Sequence, residues 1–202
     1  GVARHAAAAA ADVIRHHYAH GVTAETKADA TPVTIADREA EIAIKNVLRA
    51  AFPDHAFHGE EFGREGEGDY LWLIDPIDGT KAFVRGYPMF STQIALMHRG
   101  ELVLGVSGAP VYGGGAGETA WARQGGGAFL DGKPIRVSSA REFDAGTAIS
   151  IGNVKTLTRE ARWAALGELI RRSGRIRGYG DFLQYHLLAS GRSYIVVESD
   201  VN

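Results

Sequence analysis

The chain has 202 residues, 45% hydrophobic and 23% charged, which is ordinary globular composition with enough length for one large or two small domains, and excludes the disordered and fibrous classes. A formal net charge of -2 gives no basic footprint for nucleic acid, and no polybasic cluster points to a membrane surface, so the expected partner is a small molecule. There is no cysteine, which excludes disulfides and thiolate chemistry and suits a cytoplasmic protein, and no apolar run approaches the roughly 20 residues needed to cross a bilayer.

Val2 to Tyr18, rich in alanine, predicts a first helix with Gly21 as its stop. His16, His17 and His20 near its end read as cations at a helix C-terminus rather than as metal ligands. The chain is then polar and turn-rich from Lys27 to Asp37, and Ile35 to Phe52 carries Ile42, Ile44, Val47, Leu48 and Ala51 at helical spacing, ended by Pro53. Asp37 falls in the first turn of that helix, where a carboxylate also complements the helix dipole. Phe57 to Gly63 is a short strand-like piece holding the adjacent acids Glu60 and Glu61, with no helical period around them to make a solvated helix face.

Tyr70-Leu71-Trp72-Leu73-Ile74 reads as a buried strand stopped by Asp75-Pro76, with Gly79-Thr80 opening a helix. Asp75 and Asp78 then converge at the strand's carboxyl end, beside the free amides of Gly79 and Thr80. Carboxylates gather hard cations such as Mg²⁺ and free amides gather phosphate oxygens, although Asp-Pro and Asp-Gly are also common turn formers. Ser91 to Met97 and Leu102 to Ser107 predict an antiparallel hairpin, and Thr119 to Arg123 and Ala128 to Leu130 continue the sheet. Gly127 to Lys133 has P-loop spacing, but Pro134 stands where a Ser or Thr must hold Mg²⁺, so Asp131-Gly132 is read as a hairpin turn. Near Asp144 the pattern changes to alternating elements: strands at 148–151, 176–179 and 194–198, helices at 158–172 and 182–189. The expected domains are therefore 1–143, α+β, and 144–202, α/β.

Val33-Thr34-Ile35-Ala36-Asp37, Gly59-Glu60-Glu61 and Asp75-Pro76-Ile77-Asp78-Gly79-Thr80, in that order, resemble the inositol monophosphatase family of Mg²⁺-dependent phosphatases. Thr31 to Thr34, Gly59 to Gly63, Lys81 to Gly86 and Tyr179 to Phe182 look like its histidinol-phosphate phosphatase branch. The resemblance implies a layered α/β sandwich of the inositol monophosphatase and fructose bisphosphatase type, working as a homodimer. It implies Glu60, Asp75, Asp78 and the Ile77 carbonyl as Mg²⁺ ligands, with Glu60, Asp37 and Thr80 as the catalytic set. Asp37 and Thr80 would orient the attacking water, and the Gly79 and Thr80 amides would hold the phosphate. The family carries a further metal-binding Asp, after an aromatic residue, a few positions beyond Glu198, and the chain ends at Asn202 before reaching it. The C-terminal part is therefore expected to be incomplete, and with it one metal site. The substrate expected is L-histidinol phosphate, whose cationic amine calls for a carboxylate such as Asp181 or Glu198. Inositol phosphate or a 3'-phosphonucleotide are the alternatives, and a non-catalytic interaction protein the alternative of another class.

Overall fold

A computed structural model describes residues 1–21, 25–26, 32–144, 146–159 and 161–199. Two compact units divide the chain, residues 1–133 and 134–202. In the first, helix α1 (Val2–His20) turns the small side chains Ala3, Ala6, Ala7 and Ala10 inward together with Ile14. Short strands β1 (Glu25–Thr26) and β2 (Pro32–Val33) pair antiparallel, and the polar stretch 27–31 between them lies outside the described residues. Thr34 then caps α2 (Ile35–Ala51) through a reciprocal capping box with Asp37. Ala36, Ala40, Ile44 and Leu48, four residues apart, give α2 its core face, and the helix also buries Asp37, Glu41 and Lys45.

Both helices share a hydrophobic core with one face of a sheet built from β3 (Ala56–Gly59), β4 (Gly63–Glu65), β5 (Tyr70–Asp78), β6 (Ser91–His98), β7 (Glu101–Ala109), β8 (Glu118–Arg123), β9 (Gly127–Leu130) and β10 (Lys133–Ile135), in the order β10-β9-β8-β7-β6-β5-β3-β4. Trp72, Phe90, Ile94, Ile14, Ile44 and Leu48 are its fully buried centre. Strand β3 runs parallel to β5, while β3 with β4 and β5 through β9 pair antiparallel. The hairpins turn where positive φ demands it, at Arg99-Gly100 (52° and 86°) and Asp131-Gly132 (47° and 76°), so the glycine-rich 127–133 segment is a hairpin and not a P-loop.

One boundary differs from the expected one. Strand β5 does not stop before Pro76 but runs through it to Asp78, and the register against β6 slips there: Asp75 faces Gln93 while Asp78 faces Ser91. Three steps on one strand oppose two on the other, a bulge, which tolerates a proline that has no N–H to give. The Pro76 carbonyl still accepts from Thr92 Oγ1 at 2.9 Å. Gly79 follows at φ 94°, where a Cβ would meet the Met89 carbonyl at 2.8 Å, and the five-residue helix α3 (Thr80–Val84) begins.

The second unit begins ten residues before the expected boundary at 143/144, because the backbone of Arg136 to Ser138 lies against Gly191 and the Arg172 guanidinium sits over the Phe143 ring. It contains β11 (Ala148–Ile151), α4 (Val154–Leu157), α5 (Trp163–Arg172), β12 (Arg175–Arg177), α6 (Asp181–Ala189) and β13 (Ile195–Val197), with a parallel sheet ordered β12-β11-β13. The helix expected over 158–172 begins only at Trp163, as α5; the short α4, which the sequence did not announce, precedes it and closes at Thr158, whose hydroxyl donates to the Lys155 carbonyl at 2.7 Å. Strands joined by helices make this unit α/β, and the whole fold mixed α/β. Among the described residues no helix is long and apolar enough to cross a membrane.

Candidate active site

The β5 bulge turns the chain at Asp75-Pro76-Ile77-Asp78, and the end of parallel strand β3 comes beside it: the Glu60 amide donates to the Ile74 carbonyl at 3.0 Å. Asp37 arrives from the first turn of α2. Its Oδ2 accepts from the Thr34 amide at 2.7 Å and the Thr34 hydroxyl at 2.6 Å, and its Oδ1 stands 3.4 Å from Thr80 Oγ1. Thr80 Oγ1 is also 3.0 Å from the Ile77 carbonyl, so its single proton has two acceptors in reach. Asp37, Glu60, Asp75, Ile77, Asp78, Gly79 and Thr80 all lie in the first unit, on these adjoining segments.

Electrostatics ties the acids together. Burial, and then the charges of Glu60 and Asp78, push Asp75 up to about 9. Among the described residues its Oδ1 is buried without a hydrogen-bond partner. Burial also raises Asp37, against the hydrogen bonds from Thr34, and the Glu60 charge adds to the rise. Crowded carboxylates of this kind are what a hard cation relieves, and an orphaned acid oxygen is the donor such a cation takes. Among the described residues no three such groups already stand as a formed cage, so the shared property of the cluster is charge rather than finished geometry.

Asp181 and Glu198 belong to the second unit. Asp181 is the exposed first residue of α6, at φ 43°, and Gly180 is the cap. Glu198 is held in place: buried Gln184 donates to its Oε2 and in turn accepts from Ser150 Oγ at 3.0 Å, and a Cβ on Gly152 would overlap the Glu198 carboxylate. Glu198 also lines a cavity of about 560 Å³ with Leu157, Arg162, Trp163 and Leu166.

Sequence reasoning passed over Thr34, Glu41, Lys45 and Gln184. The first had a visible signal, the Thr-x-x-Asp capping box, whereas Glu41 and Lys45 showed only the four-residue spacing that a solvated ion pair also has. Gln184 carried none, because an isolated glutamine in an apolar helix has no pattern of its own.

The fold is mixed α/β, and its carboxylates crowd at a strand's carboxyl end, where they are the donor type that hard cations take. The chain belongs to the inositol monophosphatase family, whose sequence model its residues 1–202 match. It is 38% identical over 174 residues to the histidinol-phosphatase of Chlorobaculum parvum, an alignment that covers 86% of this chain and 65% of that protein. To the fructose-1,6-bisphosphatase/inositol-1-monophosphatase of Thermotoga maritima it is 48% identical over 106 residues, 52% of this chain and 40% of the relative. The crystal structure of the extragenic suppressor protein SuhB from Bartonella henselae superposes with a TM-score of 0.87 at 29% identity, over 100% of this chain and 78% of that one. The chain thus spans just under two thirds of the length of the histidinol-phosphatase it matches.

Proposed function

We propose that the chain carries the machinery of a Mg²⁺-dependent phosphomonoesterase that hydrolyses L-histidinol phosphate to L-histidinol and phosphate, working as a cytoplasmic homodimer. The observation that carries this reading is the acid cluster at the β5 bulge, where Asp75 crowds against Glu60, Asp78 and Asp37 and its Oδ1 has no hydrogen-bond partner among the described residues, in a chain of this family. Glu60, Asp75, Asp78 and the Ile77 carbonyl would hold Mg²⁺. When bound, the ion supplies charge neutralisation at the phosphoryl oxygens and lowers the pKa of water.

The remaining work falls to groups of this chain. Asp37, fixed by Thr34, accepts the Thr80 hydroxyl proton and leaves the Thr80 oxygen lone pairs to orient the attacking water. The amides of Gly79 and Thr80 hold the phosphate, and Gly79 has no side chain because its φ is left-handed and a Cβ would meet the Met89 carbonyl. Substrate choice is assigned to the carboxylates of the second unit, Glu198 and Asp181, as partners for a cationic amine. Identity to the histidinol-phosphatase over most of this chain supports that substrate, and the 48% identity to the Thermotoga protein supports an inositol phosphate as the second reading.

Phosphate release, measured with and without Mg²⁺ on histidinol phosphate, inositol 1-phosphate and a 3'-phosphonucleotide, tests the proposal. Mg²⁺-dependent release with the highest kcat/KM on histidinol phosphate is expected. Release that ignores Mg²⁺ would sink the metal reading, and a preference for inositol phosphate would replace the substrate.

A further inference from the structure

Helix α2 stacks Asp37, Glu41 and Lys45 one turn apart on a single face, and all three are buried. Asp37 serves the site described above. The other two do not, yet burying a carboxylate and an ammonium is unfavourable unless each is met by a partner. They meet each other, and their other partners lie on the β3–β4 hairpin that carries Glu60. Glu41 Oε2 accepts the Glu61 N–H at 2.8 Å, and its Oε1 has its charge met by Lys45 Nζ at 2.6 Å. The same ammonium donates to Glu65 Oε1 at 2.6 Å and stands 5.1 Å from the centre of the Phe62 ring, while Arg49 donates to Glu65 Oε2 at 2.7 Å. The hairpin is therefore gripped just after Glu60, at Glu61, and again at its far strand.

Gly59 completes the arrangement. It has no left-handed φ, so conformation does not require a glycine there; a Cβ would overlap the Glu41 carboxylate. The residue before Glu60 is small because Glu41 occupies the space its side chain would take.

We propose that Glu41, braced by Lys45, is a positioning residue that fixes the Gly59-Glu60-Glu61 turn and thereby sets Glu60 against Asp75. The proposal rests on Glu60 being a cation ligand. Outer partners of metal ligands typically change metal affinity by about 10–100-fold when removed. The test is Mn²⁺ affinity, read by electron paramagnetic resonance of the free ion, on the folded chain and its variants Glu60→Gln, Glu41→Ala, Gly59→Ala and the Glu41→Ala/Gly59→Ala pair. Ile44→Val, a core truncation on the same helix, serves as a control for lost stability alone. Glu41→Ala and Gly59→Ala are each expected to weaken Mn²⁺ binding by about tenfold or more. The pair should bind no more weakly than Glu41→Ala alone, because loss of the Glu41 carboxylate vacates the space that the methyl group added by Gly59→Ala needs; Ile44→Val should bind as the parent does.

Unchanged affinity in Glu60→Gln would overturn the ligand reading and this proposal with it. Loss in Glu60→Gln with parent affinity in Glu41→Ala would overturn the proposal alone, as would single-variant losses that simply add in the pair. Where Glu41→Ala does not fold, Gly59→Ala decides: weakened binding by the folded variant supports the proposal, and parent affinity overturns it.

Discussion

Thr80→Val removes one hydroxyl and keeps the shape of the side chain, so it isolates what that oxygen does. In the resting site the hydroxyl proton reaches the Ile77 carbonyl at 3.0 Å and the Asp37 carboxylate at 3.4 Å, one normal and one long contact, so folding should lose no more than an ordinary hydrogen bond, about 0.5–1.5 kcal/mol. In the reaction the same oxygen orients a water on which charge develops, and a hydrogen bond to a charged partner is worth about 1.5–3 kcal/mol. At about 1.4 kcal/mol per decade, kcat should fall roughly 10–150-fold while KM stays near the parent value. Thr80→Ser keeps the hydroxyl and should recover most of the rate. Steady-state phosphate release on histidinol phosphate measures both, with thermal unfolding run in parallel. A loss confined to KM, or a serine variant as slow as the valine one, would refute the assignment of Thr80 to the attacking water.

Asp75→Asn should abolish turnover and weaken Mg²⁺ binding at least about tenfold by calorimetry; the metal-free protein should melt higher than the parent, because burial and the repulsion from Glu60 and Asp78 act against the Asp75 charge. Unchanged affinity would remove Asp75 from the ligand set. His55 accepts the Trp72 indole N–H at Nδ1 (3.0 Å) and is stacked between Phe52 and Tyr70, so its ring must be neutral, and burial lowers its pKa. A folded-state pKa below the unfolded value of 6.5 means that the unfolded chain takes the proton first, so stability is full above that pH and falls as pH drops through it. Urea midpoints from pH 8 to pH 5.5 should show the fall, and His55→Phe, which keeps the stack, should flatten it; parallel slopes would count against this source. Asp181→Asn and Glu198→Gln should each cost more kcat/KM on histidinol phosphate than on a phosphomonoester with no amine, and equal losses on both would assign these acids to the fold.

Punctuation made the central motif legible: Pro76, Gly79 and the apolar run before them place Asp75 to Thr80 at a strand's end, and the hairpin turns at Gly100 and Gly132 follow from residues that suit positive φ. What could not be read is whatever depends on a partner strand or unit. The continuation of β5 past Pro76 is set by the slip against β6, which a proline alone does not announce. Glu41 and Lys45, an acid and a base four residues apart, have the spacing of an ordinary solvated helix face. Only the hairpin folded over them, with Gly59 clearing the space, makes them buried. The domain boundary was likewise hidden, since residues 136–138 have no regular structure and reveal their allegiance only through Gly191.

The two acids of the second unit, which sequence treats alike, are held in opposite ways. Glu198 ends a relay that starts at Ser150 and passes through the fully buried amide of Gln184, and Gly152 leaves room for its carboxylate, so its position is set before any ligand arrives. Asp181 is exposed at the head of α6, and among the described residues no hydrogen bond or ion pair holds its carboxylate. A preorganised group contributes to affinity without first losing conformational freedom, whereas a free one must be ordered by the ligand it meets. For a substrate with a cationic amine, Glu198 is thus the acid suited to fixing orientation, and Asp181 the one suited to closing on whatever group is presented to it.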